Sequence, residues 1–129
     1  MELYIDASSL PTERGPPTTL CVLLLKDRDT QVLTEEAPPS RNELEAKYFA
    51  LEKGLKTLAS RGTKVSHIRV YTDCWMLVNQ LEGKYEVKDP GFRHHKRLVE
   101  DLMAKLGSVE IRYIPKNENL AHVADKDIS

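Results

Sequence analysis

The sequence has little cysteine, no long apolar run and almost no net charge, and each shortage narrows what the chain can be. Its two cysteines, Cys21 and Cys74, stand in neither zinc nor redox spacing, so free thiols in a reducing cytoplasm are expected. No apolar run approaches the roughly 20 residues that cross a bilayer. The opening Met1-Glu2-Leu3-Tyr4 reads as the start of a strand and not as a signal peptide. A formal net charge of -1 does not advertise a polyanion binder, though it leaves room for a local basic patch. There is no repeat, low-complexity tract or linker, so residues 1–129 are expected to form one domain, acting as a monomer without a membrane partner. What remains is 40% hydrophobic and 30% charged, enough to build a water-soluble core.

The stretch that organises the chain is Ile68 to Gln80. Ile68-Arg69-Val70-Tyr71-Thr72 is a β-branched and aromatic run, hence a strand, and from Trp75 the apolar spacing turns helical. Asp73 sits at the junction, where open α/β sheets place their chemistry. It could equally be the N-cap of the next helix. Upstream, Leu3-Tyr4-Ile5 leads to Asp6, and Thr19 to Leu25 is apolar enough for a strand covered on both faces. Gln31 to Thr34 reads as a third, antiparallel strand. Ser40-Arg41-Asn42-Glu43 has capping-box spacing ahead of a helix with Leu44, Tyr48, Leu51, Leu55 and Leu58 on one face, stopped at Arg61-Gly62. A further amphipathic helix runs from Phe92 through Leu106, Val109 to Ile114 alternates as a last strand, and a short helix closes the chain near Ala121 to Ile128. The order βββαβααβα predicts an α/β fold: a five-stranded mixed sheet with helices packed on it, the first and fourth strands side by side and parallel.

That topology gathers Asp6, Glu43, Asp73 and Asp125 from four separate elements. Converging carboxylates repel, and divalent cations relieve the repulsion. Two ions about 4 Å apart can activate a water and steady a leaving oxygen of a phosphodiester. Each acid also has a bland reading: Glu43 as a capping residue, Asp6 as a turn former, Asp125 as a solvated surface acid. Spacing does not choose between these readings.

Several segments resemble ribonuclease H type 1, in its prokaryotic and archaeal branch. Leu3-Tyr4-Ile5-Asp6-Ala7-Ser8 is similar to its opening strand, and Glu43-Leu44-Glu45-Ala46 with Ala50-Leu51 to its glutamate helix. Val70-Tyr71-Thr72-Asp73-Cys74 is similar to the segment of its third acid. Leu77-Val78-Asn79-Gln80, Gly83, Tyr85, Val87 and Pro90 follow the branch, and Ile114-Pro115-Lys116, Asn119 and Ala124-Asp125 resemble its closing segment. The resemblance implies a ribonuclease H fold that cleaves the RNA strand of RNA–DNA hybrids, leaving 5′-phosphate and 3′-hydroxyl ends. It implies catalytic and metal-binding roles for Asp6, Glu43, Asp73 and Asp125, with two Mg2+ or Mn2+ ions. A register with Lys47 at the glutamate position would abolish that metal site; the joint match of Glu43-Leu44-Glu45-Ala46 and Ala50-Leu51 favours Glu43.

The chain also departs from the family. Ser8 to Pro17 replaces a glycine-rich first loop, and the histidine of the last loop is missing, leaving Lys116 or His122 as proton-shuttle candidates. For substrate binding the candidates are Ser8, Asn42, Trp75, Asn79, Gln80, Arg93, Lys96 and Lys116. Arg93 and Lys96 belong to a basic cluster suited to phosphates. Asn79 and Gln80 can offer hydrogen bonds to a minor groove, and a lone Trp75 is expected mainly in the helix–sheet interface. The departures keep two other readings open: a catalytically weak or inactive nucleic-acid-binding module, and a nuclease acting on double-stranded RNA. Hybrid cleavage beside an Asp73→Asn variant separates them, and removing Asp6 or Asp73 is expected to relieve repulsion.

Overall fold

The computed structural model describes residues 1–62 and 67–128, with side chains described as far as Ala124. The elements are β1 (Glu2–Leu10), β2 (Thr18–Lys26), β3 (Thr30–Ala37), α1 (Glu43–Ser60), β4 (Ile68–Thr72), α2 (Trp75–Leu81), α3 (Pro90–Leu106), β5 (Val109–Tyr113), a single 3-10 turn (Lys116–Glu118) and α4 (Leu120–Ile128). Their order and type are those expected. The sheet runs β3-β2-β1-β4-β5. The first three strands form the antiparallel meander, while β4 lies parallel to β1 with Tyr4 opposite Tyr71, and β5 lies parallel to β4. The first and fourth strands are therefore neighbours running the same way, and their carboxyl ends share one edge. Among the described residues no helix is long and apolar enough to cross a membrane.

The core lies between the sheet and α1. Leu3, Ile5 and Leu23 from the sheet meet Leu51, Leu55 and Leu58 from α1, all fully buried. The opposite sheet face is covered in part by α4, whose Ala121 packs on Val22 and Leu24. Gly54 sets how close α1 comes to β1, because a Cβ there would lie 2.7 Å from Leu3 Cδ2. This contact also sets the slide of the helix along the strand. Moving from Leu3 to Asp6 climbs roughly 10 Å of strand. Moving from Gly54 back to Lys47 covers two helical turns, again roughly 10 Å. Lys47, and not Glu43, therefore arrives level with Asp6.

The start of α1 differs from expectation in the same direction. The capping residue is Asn42, whose side chain accepts from the Glu45 amide at 3.0 Å. Glu45 in turn accepts from the Arg41 amide at 3.0 Å. The capping box is thus Asn42 with Glu45, two residues beyond the Ser40–Glu43 spacing, and Glu43 is left free in the first turn. Helix α3 starts at Pro90, earlier than expected. Asp89 caps it by accepting from the Phe92 amide, and proline suits the first helical position.

Candidate active site

The carboxyl ends of β1 and β4 bring Asp6 and Asp73 together. Asp73 is not the cap of α2: that position is held by Cys74, whose amide bonds to Thr72 Oγ1 at 3.1 Å. The Asp73 carboxylate is instead turned toward Asp6 and is held from behind. Asn119, fully buried, donates from Nδ2 to Asp73 Oδ2 and to the Ile5 carbonyl, both at 2.9 Å. Its Oδ1 accepts from the Ala121 amide at 3.1 Å, so one side chain ties β1, Asp73 and the start of α4 together. The resemblance marked Asn119 but gave it no role; the structure makes it the residue that orients Asp73.

Lys47 reaches into the space between the two aspartates. Its Nζ donates to Asp6 Oδ1 and, at 3.1 Å, to the Ala7 carbonyl, and lies 3.8 Å from Asp73 Oδ1. The side chains of Lys47, Asp6 and Asp73 are each 3% exposed. Burial alone would weaken the ammonium's hold on its proton; the carboxylates of Asp6 and then Asp73, with Glu43 further off, outweigh that and raise the Lys47 pKa above its ordinary value. His122, in the first turns of α4, places Nδ1 3.0 Å from Asp6 Oδ2. A carboxylate oxygen only accepts, so Nδ1 carries the proton in that bond. One ligand-type atom from each of Asp6, Asp73 and His122 falls within 4.8 Å of the others.

This corrects the sequence reading at its centre. Glu43 was expected to face the two aspartates, and the Lys47 register was set aside. The structure puts Lys47 there, with Glu43 one turn short, exposed at the mouth of a cavity of about 420 Å3. That cavity is also lined by Asp6, Ser8, Ser9, Asn42, Lys116 and His122. Asp125 lies on α4, with its side chain outside the described residues.

The substrate-binding candidates divide. Ser8, Asn42 and Lys116 line the cavity, although Asn42 spends its side-chain oxygen on capping α1. Trp75 is not in the helix–sheet interface: it is 55% exposed and meets Tyr113 edge-on, the ring centroids 5.3 Å apart. The buried residues of α2 are four in succession, Leu77, Val78, Asn79 and Gln80, so its second half is enclosed nearly all round while Trp75 and Met76 at its start stay exposed. Asn79 and Gln80 are consequently buried and do not present hydrogen bonds to a groove; Gln80 accepts from the Tyr48 hydroxyl at 2.8 Å. Arg93 donates from Nε to the Val87 carbonyl at 2.7 Å, bracing the turn before α3. Neither Arg93 nor Lys96 lines the cavity. Burial raises the pKa of the Cys74 thiol beside Asp73, which favours its protonated form.

A family model described as reverse transcriptase-like matches residues 11–126. The chain belongs to the reverse transcriptase-like family. Solved structures similar to this family member show its fold. LC11-RNase H1, from compost, in complex with an RNA/DNA hybrid, has a TM-score of 0.79 at 19% identity, covering 99% of each chain. RNase H1 from the archaeon Halobacterium salinarum has a TM-score of 0.77 at 21% identity, covering 95% of this chain and 91% of the other. The RNase H domain of prototype foamy virus has a TM-score of 0.62 at 14% identity, covering 97% and 87%. Comparison with curated proteins finds no match. The fold is the ribonuclease H fold that the resemblance implied.

The two divalent ions that the resemblance implies do not fit the residues as they stand. A buried ammonium already occupies the gap between Asp6 and Asp73, hydrogen-bonded to one and in Coulomb contact with the other. A cation at that point would face Lys47 across a site of low dielectric, where like charges are costly. The group of Asp6, Asp73 and His122 can share one cation only where Lys47 does not.

Proposed function

We propose that this ribonuclease H-type protein recognises RNA–DNA hybrid duplexes through the cleft at the carboxyl ends of β1 and β4, and that hydrolysis there is slow or silent while Lys47 is seated. The observation that carries this reading is the Lys47 ammonium between Asp6 and Asp73. Hybrid recognition is supported by the fold shared with a ribonuclease that was solved on an RNA/DNA hybrid. It is supported also by the makeup of the cleft. Lys116 supplies positive charge for a phosphate, and Ser8 and Ser9 offer hydroxyls within reach of a sugar edge. The exposed Trp75 with Tyr113 provides an aromatic ledge two residues from Asp73. Such contacts read duplex shape and 2′-hydroxyls without reading base sequence. They lose affinity as salt rises, because phosphate contacts release counterions. A monomer in the cytoplasm is part of the same proposal.

The test is binding and cutting of a labelled RNA–DNA hybrid with Mg2+ or Mn2+, beside Asp73→Asn, duplex RNA and duplex DNA. Salt-sensitive binding that favours the hybrid, with little metal-dependent cutting, is the expected result. Brisk cutting that vanishes in Asp73→Asn, leaving 5′-phosphate ends, would return the chain to full two-ion catalysis. Equal binding to all three duplexes would remove hybrid recognition.

A further inference from the structure

We propose that the cleft carries a second, metal-independent activity, in which His122 and Lys116 cut unpaired RNA by turning a ribose 2′-hydroxyl against its own 3′-phosphate. The observation behind it is how the Asp6 carboxylate is shared. Oδ1 accepts from the Lys47 ammonium, and Oδ2 accepts from His122 Nδ1 at 3.0 Å. With its proton on Nδ1, the neutral ring keeps a lone pair on Nε2. Among the described residues Nε2 has no hydrogen-bond partner, and His122 lines the cavity. A carboxylate that fixes the tautomer and orientation of an imidazole beside a cleft makes that imidazole a general base. Lys47 steadies the arrangement from the other side, since its Nζ also donates to the Ala7 carbonyl at 3.1 Å. Asp6 is thus a positioning residue held at both oxygens.

The lining decides what such a base meets. Lys116 brings an ammonium to the same cavity, and Ser8 and Ser9 bring hydroxyls, a set that suits a phosphodiester. The proton to be taken then lies beside the phosphate, on the 2′-hydroxyl that RNA has and DNA lacks. Nε2 of His122 takes that proton, and the 2′-oxygen bonds to the adjacent phosphorus. The P–O5′ bond breaks with its electron pair on O5′, which takes a proton from Lys116. Solvent water returns the proton from His122 to the lysine amine, so nothing is consumed. The products carry 2′,3′-cyclic phosphate and 5′-hydroxyl ends. Attack requires the 2′-oxygen, phosphorus and O5′ to lie in line. A stacked A-form duplex holds them out of line, so the substrate class is unpaired RNA. The reaction differs from two-ion hydrolysis in nucleophile and in products, and it does not rest on hybrid recognition.

The experiment incubates an end-labelled, uridine-rich RNA strand in EDTA with the wild type, His122→Ala, His122→Gln or Lys116→Ala, beside the same strand made with 2′-deoxyribose. The wild type should cut the RNA slowly, leave cyclic phosphate ends, and spare the deoxy strand. His122→Ala should be slower by about a hundredfold or more. Added imidazole should restore part of that loss, which a merely structural role would not allow. His122→Gln keeps a donor for Asp6 but takes no proton, so it should be as slow as His122→Ala while unfolding at the wild-type temperature. Lys116→Ala should lose roughly tenfold or more. No cutting by the wild type in EDTA, equal cutting by folded His122→Gln, or 5′-phosphate ends would each overturn the proposal. None of these measurements uses a hybrid, so their failure is distinct from a failure of hybrid recognition.

Discussion

Helix α1 carries two arrangements in which a nitrogen base or cation stands between two acids, and they lie in different surroundings. In the first, Lys47 stands between Asp6 and Asp73. In the second, His95 of α3 stands between Glu52, at 2.7 Å from Nδ1, and Glu45, at 3.4 Å from Nε2. The second is closed. The His95 ring is packed against Tyr48, Phe49 and Phe92, and Glu45 also bonds to Arg41, which reaches on to Asp89. It fastens α1 to α3. The first opens on a cavity, has a strand carbonyl and a buried asparagine behind it, and has a histidine at its lip. The same charge pattern thus serves as a clamp where aromatic rings seal it and as a candidate active site where a cleft reaches it.

The largest expected effect is on the open group. Lys47→Met leaves two buried carboxylates facing each other and should cost about 3–5 kcal/mol of unfolding free energy, measured by urea titration. Next come the acids themselves, whose removal looked from the sequence like a relief of repulsion. With Lys47 in place the sign reverses. Asp6→Asn should destabilise by about 2–3 kcal/mol because it weakens the ammonium's direct partner. Asp73→Asn should cost about half as much, since that carboxylate stands farther from Nζ. Equal losses would mean that Lys47 is shared evenly. In the clamp, His95→Gln should cost about 1–2 kcal/mol, because the amide loses the ring that spans Glu52 and Glu45 and stacks on Tyr48.

Acid and alkali should separate the two groups. Burial pushes the Glu45 pKa upward, but the hydrogen bonds from Arg41 and His95 outweigh it and leave it below the ordinary 4.5. The stability Glu45 contributes is therefore present above pH 4.5 and lost as pH falls through the lower folded value. Lys47 has the opposite sign. Its folded pKa is raised, so its contribution is complete below 10.5 and is lost as pH rises through the folded value. Unfolding curves of Glu45→Gln and Lys47→Met against pH should flatten at the acid and the alkaline end respectively. The smallest effect on stability is expected at Trp75→Ala, within about 0.5 kcal/mol for a surface position. The same change should weaken hybrid binding by roughly tenfold if the ledge stacks on a nucleotide.

Much of this was legible in the chain because it rests on local pattern. Alternation and helical spacing are properties of a few neighbouring residues, so the strands, the helices and their order could be read directly. The parallel pairing of the first and fourth strands follows from the handedness of crossovers, and with it the meeting of Asp6 and Asp73. The adjacent burial of Asn79 and Gln80 and the exposure of Trp75 were not legible. They depend on how deeply each end of a two-turn helix is set among its neighbours, since Trp75 and Asn79 share a helix face and differ only in position along the axis.

The identity of the side chain facing Asp6 was likewise not a local property. Glu43 and Lys47 are one turn apart on the same face of α1, and either satisfies the helical pattern. The choice between them is a displacement of one helical pitch along the sheet. It is fixed by the close approach of Gly54 to Leu3, far from the carboxylates, and by the shift of the capping box to Asn42 and Glu45. The sequence by itself determined the elements and which strand ends would meet. Only the packing of α1 against β1 decided that an ammonium, and not a third carboxylate, would fill the gap.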